Sequence, residues 1–117
     1  MADIMRTSEE NGVTIVEFAD ETRLDGLAVD QIRDQLTALV EEGGPSRILM
    51  DCAALEFLSS QALGLLVTLR IKAARSETRV VLANVPEILM DIVTLTQVDR
   101  LYEILPTREE AMAALHA

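Results

Sequence analysis

Residues 51–66 have the sequence Asp51-Cys52-Ala53-Ala54-Leu55-Glu56-Phe57-Leu58-Ser59-Ser60-Gln61-Ala62-Leu63-Gly64-Leu65-Leu66, and this stretch decides the fold. Its pattern predicts a strand that ends near Asp51, then a loop, then a helix that begins at the two serines. Ser59 suits the N-cap, because a serine hydroxyl accepts a hydrogen bond from an N–H group that the first helical turn leaves without a partner. Ser60 is then the first helical residue.

Two interpretations of Ser60 follow from this position. Serines are common at helix starts, so on the first interpretation Ser60 is an ordinary residue of the capping region. On the second it is a phosphorylation site, because a phosphate there would meet free N–H donors and the positive end of the helix dipole. The modified serine would present about −1.5 to −2 units of additional charge to the outside.

The helix predicted over Ser59 to Arg75 has two further features. Gly64 lies inside it, and glycine there costs about 1 kcal/mol relative to alanine, so we expect a reason such as a close backbone approach. Arg70, Lys72 and Arg75 fall near its end, where positive charge complements the helix dipole. We interpret these three residues as a solvated helix end rather than a binding patch.

The chain before this stretch contains strands and one helix. Val13 to Phe18 is rich in β-branched residues and predicts a strand, with Asn11-Gly12 as a turn before it. Ile4 and Met5 are expected to start an earlier strand, which makes a hairpin. Residues 28 to 42 have helical spacing, and Gly43-Gly44-Pro45 is expected to stop that helix. The apolar stripe of this helix consists of Val29, Ile32, Leu36, Leu39 and Val40.

Strands and helices continue to alternate to the end of the chain. Pro86 fits the first turn of a third helix. Thr107-Arg108-Glu109-Glu110 resembles a capping box that opens a final helix with Ala111, Met112 and Leu115 inside. The remaining predicted strands are Arg47 to Ala53, which is covered on both faces, Arg79 to Val85, and Tyr102 to Leu105. This order predicts an α/β fold, with a small mixed, largely parallel β-sheet and about four helices packed against it.

Composition excludes several classes of function. The 117 residues suffice for one domain, and 50% of them are hydrophobic, so the chain has ample material for a core. The net charge of −10 repels nucleic acid and anionic lipid, and only 3% of residues are aromatic, which leaves few platforms for stacked bases. We therefore expect no direct nucleic-acid binding.

Cysteine content and hydropathy indicate the compartment. Cys52 is the single cysteine, which excludes an internal disulfide, and its apolar neighbours predict a buried, inert thiol. The longest apolar run, Ala62 to Val67, is far shorter than the roughly 18 residues of a membrane span. Met1-Ala2-Asp3 does not resemble the start of a signal peptide. Together these features predict a cytoplasmic protein without membrane insertion.

Residues for catalysis or cofactor binding do not occur in a workable pattern. Gly43-Gly44 precedes a proline and a strand, which is the wrong context for a phosphate-binding loop. His116, the single histidine, is next to last and expected to be frayed, so triad and metal schemes lack their usual base. We interpret Asp20, Asp25 and Asp51 as ordinary turn and strand-end residues, because their spacing does not match a calcium loop. We expect no enzyme activity, no metal and no cofactor.

The stretch from Phe57 to Gly64 resembles the signature of the STAS domain, in which Phe, an apolar residue, Asp or Ser, Ser, Ser or Ala, Gly, Leu and Gly follow one another. Asp51 matches the aspartate that ends the preceding strand. Thr22-Arg23-Leu24-Asp25 resembles the polar-Leu-Asp element before the first helix. Two later segments, residues 83–87 and 98–102, resemble the junction into the third helix and the approach to the last strand. The resemblance extends over nearly the whole chain and indicates a single STAS domain over residues 1–117.

The resemblance implies an anti-sigma-factor antagonist, which is a protein-interaction module. In such antagonists the unmodified domain binds an anti-sigma factor that is also a serine kinase, and phosphorylation of a serine ends the interaction until a serine phosphatase restores it. That serine falls on Ser60. The implied partner-binding residues are Asp25, Ser59, Ser60, Gln61 and Gly64.

The sequence departs from the family pattern after Ser60. Gln61 and Ala62 stand where a small residue and a glycine usually follow, and Ser59 stands where the best-known antagonists have Asp. These departures keep a second hypothesis open, a STAS subunit of an ABC-type lipid-transport complex. In such a complex the same surface would bind an ATPase constitutively, and Ser59 and Ser60 would be packing and cap residues.

Overall fold

The computed structural model describes residues 3–41 and 46–117 of the chain. Within those residues, strands and helices alternate along almost the entire length. The elements are β1 (Met5–Glu10), β2 (Val13–Phe18), β3 (Thr22–Leu24), α1 (Gly26–Glu41), β4 (Arg47–Asp51), β5 (Leu55–Leu58), α2 (Ser60–Arg75), β6 (Arg79–Ala83), α3 (Glu87–Leu95), a 3₁₀ turn (Val98–Arg100), β7 (Glu103–Leu105) and α4 (Arg108–His116).

Five of the strands form one mixed sheet in the order β1-β2-β4-β6-β7. β1 is antiparallel to β2, and the other neighbouring pairs are parallel. The predicted fold class is therefore confirmed. The sequence did not predict β3 and β5, which pair in parallel as a separate two-stranded sheet.

The β1–β2 hairpin was predicted correctly. Its turn residues Asn11 and Gly12 have φ angles of 51° and 80°. Two successive positive φ values match the right-handed twist of the flanking strands in a two-residue turn, and Asn-Gly is the sequence that such a turn favours. β2 spans the predicted Val13–Phe18, and β1 begins at Met5.

Helices cover both faces of the large sheet. α1, α2 and α3 bury their apolar residues in one core cluster, and α4 buries Ala111 and Leu115 in a second. β4 contributes to both clusters, because Ile48 and Met50 belong to the first and Leu49 belongs to the second. The prediction that β4 is covered on both faces is confirmed, although the strand ends at Asp51 instead of Ala53.

The first helix begins two residues earlier than expected. α1 starts at Gly26, directly after Asp25, whose carboxylate accepts a hydrogen bond from the Ala28 N–H at 3.1 Å. A carboxylate in this position is a good N-cap, which the apolar spacing alone does not reveal. The predicted stripe is buried except for Leu39, which is half-buried. The predicted helix end at Glu42 and Gly43-Gly44-Pro45 lies outside the described residues.

Local backbone geometry explains the other shifted boundaries. β6 ends at Ala83, two residues before the predicted Val85, because Asn84 adopts a φ of 56° and leaves the strand. Pro86 is the N-cap of α3 with a ψ of 141°, so it precedes the first turn instead of lying in it. Tyr102 precedes β7, and its buried hydroxyl donates a hydrogen bond to the Leu66 carbonyl at 2.6 Å.

The final helix has the predicted cap and a different end. Thr107 accepts a hydrogen bond from the Glu110 N–H at 3.1 Å, as the capping box predicts. His116, which we expected to be frayed, instead lies in the last turn of α4. Its ring nitrogens contact the carbonyl oxygens of Met112 and Asn11 at 2.9 and 2.8 Å. The expectation was wrong because the β1–β2 turn lies beside the end of α4, a contact between residues 105 positions apart.

Within residues 3–41 and 46–117, the helices are all too short or too polar to cross a membrane.

Candidate functional site

The two-stranded sheet sets the starts of α1 and α2 side by side. β3 runs directly into α1, and β5 runs directly into α2. The strands are parallel, Leu24 is in register with Leu58, and the Ser59 N–H donates to the Leu24 carbonyl at 3.0 Å. The helix N-termini consequently lie at the same edge. This edge contains all of the residues that the family resemblance assigns to partner binding, except Gly64.

Ser59 is the N-cap of α2, as predicted. Its backbone is extended, with φ −78° and ψ 170°, and its hydroxyl accepts a hydrogen bond from the Ala62 N–H at 3.1 Å. Its carbonyl accepts the Leu63 N–H at 3.0 Å. Ser59 thus satisfies the N–H groups of the third and fourth helical residues, and the N–H groups of Ser60 and Gln61, at the helix start, have no partner within the helix.

Ser60 is the first residue of α2 and is exposed. The first turn of α2 contains no acidic residue. The positive end of the helix dipole therefore meets no carboxylate from its own helix at the Ser60 side chain. Chemically, Ser60 is accessible from solvent and belongs to the helix turn whose first N–H groups have no partner within the helix.

Gln61 connects the two helix starts. Its side-chain amide lies against Gly26, the first residue of α1, and a Cβ atom at Gly26 would overlap the amide oxygen. A side chain at position 26 would therefore have to displace the end of the Gln61 side chain. Gln61 replaces the small residue of the family pattern, and Gly26 supplies the room that this larger side chain occupies.

Gly64 does not have the role that we expected. Among the described residues, no atom outside its immediate surroundings comes within 4 Å of the position that a Cβ at Gly64 would take. The expected close backbone approach inside the fold is wrong. Gly64 is exposed on α2 one turn after Ser60, and its carbonyl accepts a hydrogen bond from the Thr68 hydroxyl at 3.1 Å. The open space above it is on the outside of the molecule.

An aromatic contact borders the helix starts, and sequence reasoning missed it. The Arg23 guanidinium lies over the Phe57 ring, 4.5 Å from its centre, and the ring is 37% exposed. Arg23 and Phe57 are in register across β3 and β5. The sequence contains no local signal for this pair, because it depends on the pairing of two strands that are far apart in the chain. Leu27, in the first turn of α1, is a further exposed apolar residue here.

Asp51 lies at the end of β4 and is engaged within the fold. One carboxylate oxygen accepts hydrogen bonds from the Ala53 N–H at 3.0 Å and from the Asn84 side chain at 3.3 Å. The other lies 3.7 Å from the Arg108 guanidinium. Asp51 therefore ties the β4–β5 loop to the β6–α3 junction and to α4. This is the strand-end role expected of it.

Cys52 follows β4 in the core, and only 5% of its surface is exposed. Burial, with a smaller contribution from the neighbouring Asp51 carboxylate, raises the pKa of the thiol to about 12. Because the thiolate is the nucleophile and the metal ligand, a thiol that stays protonated is inert. The predicted burial of Cys52 is confirmed, although the residue follows β4 instead of lying in the strand.

The basic residues near the end of α2 are more than a solvated helix end. The Arg70 Nε donates to the Leu101 carbonyl at 2.8 Å, and Lys72 pairs with Glu41 at 2.6 Å. Arg70 thereby connects α2 to the segment after the 3₁₀ turn, and Lys72 connects it to α1. Within the described residues, no group of three or more His, Cys, Asp and Glu side chains is arranged to hold a metal ion.

Solved structures of STAS and anti-sigma-factor antagonist proteins share this architecture. An anti-sigma-factor antagonist (STAS) domain protein from Planctomyces limnophilus is 27% identical, with a TM-score of 0.86 and a match over 98% of each chain. An anti-sigma factor antagonist from Mycobacterium paratuberculosis is 22% identical, with a TM-score of 0.81 over 97% of this chain and 93% of that chain. The phosphorylated form of the Bacillus cell fate determinant SpoIIAA is 19% identical, with a TM-score of 0.72 over 94% of this chain and 97% of that chain.

The sequence match agrees with the structural one. The STAS domain model matches residues 5–111, which include both helix starts and every element from β1 to the first part of α4. The chain therefore belongs to the STAS domain family.

Proposed function

We propose that this STAS domain is an anti-sigma-factor antagonist that binds an anti-sigma factor with serine kinase activity and is switched off by phosphorylation of Ser60. A serine phosphatase would return it to the binding form. In this proposal residues 1–117 act as a single STAS domain in the cytoplasm, and the partner contacts Asp25, Ser59, Ser60, Gln61 and Gly64. The chain would regulate sigma-factor-dependent transcription without touching DNA itself.

The observation that carries the proposal is the position of Ser60. Its side chain is exposed, so a kinase can reach the hydroxyl, and it is the first residue of a helix that Ser59 caps. A phosphate on Ser60 would be stabilised by free N–H donors and the helix dipole, so modification need not disturb the fold. The phosphate would instead alter the affinity of a partner protein that covers this surface.

Charge explains why phosphate would end the interaction. The Asp25 carboxylate caps the neighbouring helix α1, so a phosphate on Ser60 would add a second negative group at the same edge. An interface that accommodates the neutral serine would have to desolvate this dianion, which costs several kcal/mol unless new cationic partners appear. The unmodified and modified states would therefore differ strongly in affinity.

The direct test is phosphorylation in vitro. The full chain is incubated with the anti-sigma kinase from its own genome and ATP, and the intact mass is measured. Ser60→Ala serves as the site variant, and Ser59→Ala serves as the matched control at the adjacent hydroxyl. We expect one phosphate on the wild type and on Ser59→Ala, and none on Ser60→Ala.

Two results would contradict the proposal. A phosphate on Ser60→Ala would place the modification elsewhere. A wild type that stays unmodified but binds a transporter ATPase would favour the lipid-transport subunit, in which the same surface acts permanently.

A further inference from the structure

The outward face of α2 carries an apolar stripe that the fold does not use. Gly64, Val67 and Ile71 fall within about 60° of one another around a helix with 3.6 residues per turn. Val67 and Ile71 are 39% and 50% exposed. The buried residues of α2 lie on the opposite side, where they include Leu66, Leu69 and Ala73. A surface helix normally places polar residues opposite its buried face, so exposed apolar side chains at these positions are not explained by the fold of one chain.

α3 carries a second stripe of the same kind. Ile88 and Leu95 are 79% and 78% exposed, and Ile92, which lies between them, is half-buried and packs in part against the core. These three residues also fall within about 60° around the helix axis. Leu89 and Val93 anchor the other side of α3 in the core. Two helices of one small domain therefore present apolar stripes to solvent.

The two helices have opposite charge. α2 contains no acidic residue, although the chain contains 20, and it carries Arg70, Lys72 and Arg75 in its second half. Of these, Lys72 also pairs with Glu41, and Arg70 also donates to the Leu101 carbonyl. α3 contains no basic residue, and it carries Glu87 and Asp91 in its first half. An antiparallel arrangement would bring the basic half of α2 beside the acidic half of α3.

The spacings of the two stripes match in that same arrangement. The α2 stripe advances by three residues and then by four, from Gly64 through Val67 to Ile71. The α3 stripe, followed backwards from Leu95, also advances by three and then by four. Antiparallel packing would set Gly64 opposite Leu95, Val67 opposite Ile92, and Ile71 opposite Ile88. The residue without a side chain would then face the exposed leucine, which is the small-against-large pairing that close helix packing requires.

One chain cannot make this contact with itself, because the buried sides of both helices hold them in the same core with their stripes facing outwards. We propose that two copies of the chain associate by packing α2 of one copy antiparallel against α3 of the other. Each copy offers both surfaces, so two such contacts can form about a twofold axis. The association would cover Gly64 and the surface directly after Ser60, so it would exclude a partner that contacts Gly64, and it is inferred independently of the proposed function.

Sedimentation velocity of the full chain over a range of concentrations tests this proposal. The contact is small, so we expect reversible association that grows between about 10 µM and about 1 mM. Val67→Ser/Ile71→Ser removes the α2 stripe, and Ile88→Ser/Leu95→Ser removes the α3 stripe. Each double variant should weaken association at least about tenfold. Leu27→Ser, at a 72% exposed leucine of α1, is the matched control and should associate like the wild type.

A mixing experiment identifies the pairing. The α2 variant retains its α3 stripe, and the α3 variant retains its α2 stripe, so an equimolar mixture should regain one of the two contacts and associate more strongly than either variant alone. Circular dichroism confirms that each variant is folded. A wild type that is monomeric at every concentration would overturn the proposal. So would association that both double variants retain, or a mixture that associates no better than its components.

Discussion

The side-chain amide of Gln61 lies against Gly26, so the second residue of α2 occupies the space beside the first residue of α1. The Ser59 N–H also donates a hydrogen bond of 3.0 Å to the Leu24 carbonyl, which connects the same two segments. We therefore expect a change in the side chain at position 26 or 61 to affect both helix starts. The partner-binding surface that we propose is formed by both helices, and its shape depends on this contact.

Gly26→Ala should reveal the coupling between the helix starts. The new methyl group displaces the flexible end of Gln61, while alanine favours the helix, so we expect the free energy of unfolding to change by less than about 1 kcal/mol. In a Gln61→Ala background the same substitution should be more stabilising, with a coupling energy of at least about 0.5 kcal/mol in a urea-unfolding cycle. Gly64→Ala, whose methyl meets open space, is the control and should stabilise by about 1 kcal/mol. Strictly additive effects at positions 26 and 61 would show that the contact has no energetic consequence.

Ser59 and Ser60 should differ in their effect on stability. Ser59→Ala removes the hydrogen bond to the Ala62 N–H and should lower the free energy of unfolding by about 1 kcal/mol. Ser60→Ala alters an exposed side chain and should stay within about 0.5 kcal/mol of the wild type. Ser59→Asp keeps a capping acceptor and should recover most of the loss. Chemical denaturation measures all three, and an equal loss for Ser59→Ala and Ser60→Ala would contradict the assignment of the cap.

Ser60→Asp should weaken binding of the anti-sigma factor without weakening the fold. A carboxylate at the first helical position interacts favourably with the dipole, so the melting temperature should not fall. The same charge at the interface must be desolvated, so the dissociation constant should rise at least about tenfold in calorimetric titration. Ser60→Asn, which has a similar shape and no charge, is the control and should bind more tightly than Ser60→Asp. Equal binding by Ser60→Asp and the wild type would count against an electrostatic switch.

Alkaline pH should destabilise the fold through two buried groups. Burial raises the pKa of the Cys52 thiol from its ordinary 9.0 to about 12, so above pH 9 the unfolded chain loses a proton that the folded chain keeps. The free energy of unfolding should therefore fall by up to about 1.4 kcal/mol per pH unit in this range. Burial also raises the pKa of Tyr102, partly offset by Arg70, so its contribution begins above the ordinary value of 10.0.

Variants separate the two groups. Cys52→Ala should flatten the pH dependence above pH 9, and Tyr102→Phe should flatten it above pH 10, when the free energy of unfolding is measured by urea denaturation across that range. Both variants will be less stable at neutral pH, because one leaves a small cavity and the other loses the hydrogen bond to the Leu66 carbonyl. An unchanged slope in both variants would place the alkaline transition at other groups.

Elements with a strong local pattern were predictable from the sequence. β2 has the β-branched run and the Asn-Gly turn, α1 has its apolar stripe, and Ser59 and Thr107 have the capping pattern. Each of these signals acts between residues at most four positions apart, since it arises from backbone hydrogen bonds and from the faces of single helices and strands. The alternation of such elements was sufficient for the α/β fold class.

The strands β3 and β5 did not have such a signal. β3 has three residues and β5 has four, which is too short for an alternating pattern, and both are stabilised by pairing across more than 30 positions of the chain. The same reason accounts for His116, whose contact with Asn11 depends on the packing of α4 across the sheet. The close approach expected at Gly64 was wrong, because a glycine inside a helix suggests that a neighbour needs room but does not say whether that neighbour lies inside the fold or outside it.

The sequence by itself determined that Ser59 would cap a helix and that Ser60 would be its first residue, because capping depends on the side chain and on N–H groups within the next three residues. Only the tertiary structure decided what surrounds Ser60. Pairing of β3 with β5 sets α1 beside α2, fits Gln61 against Gly26 and stacks Arg23 on Phe57. These contacts join residues that are distant in the chain, and they exist only because the common core holds both helices on one face of the sheet.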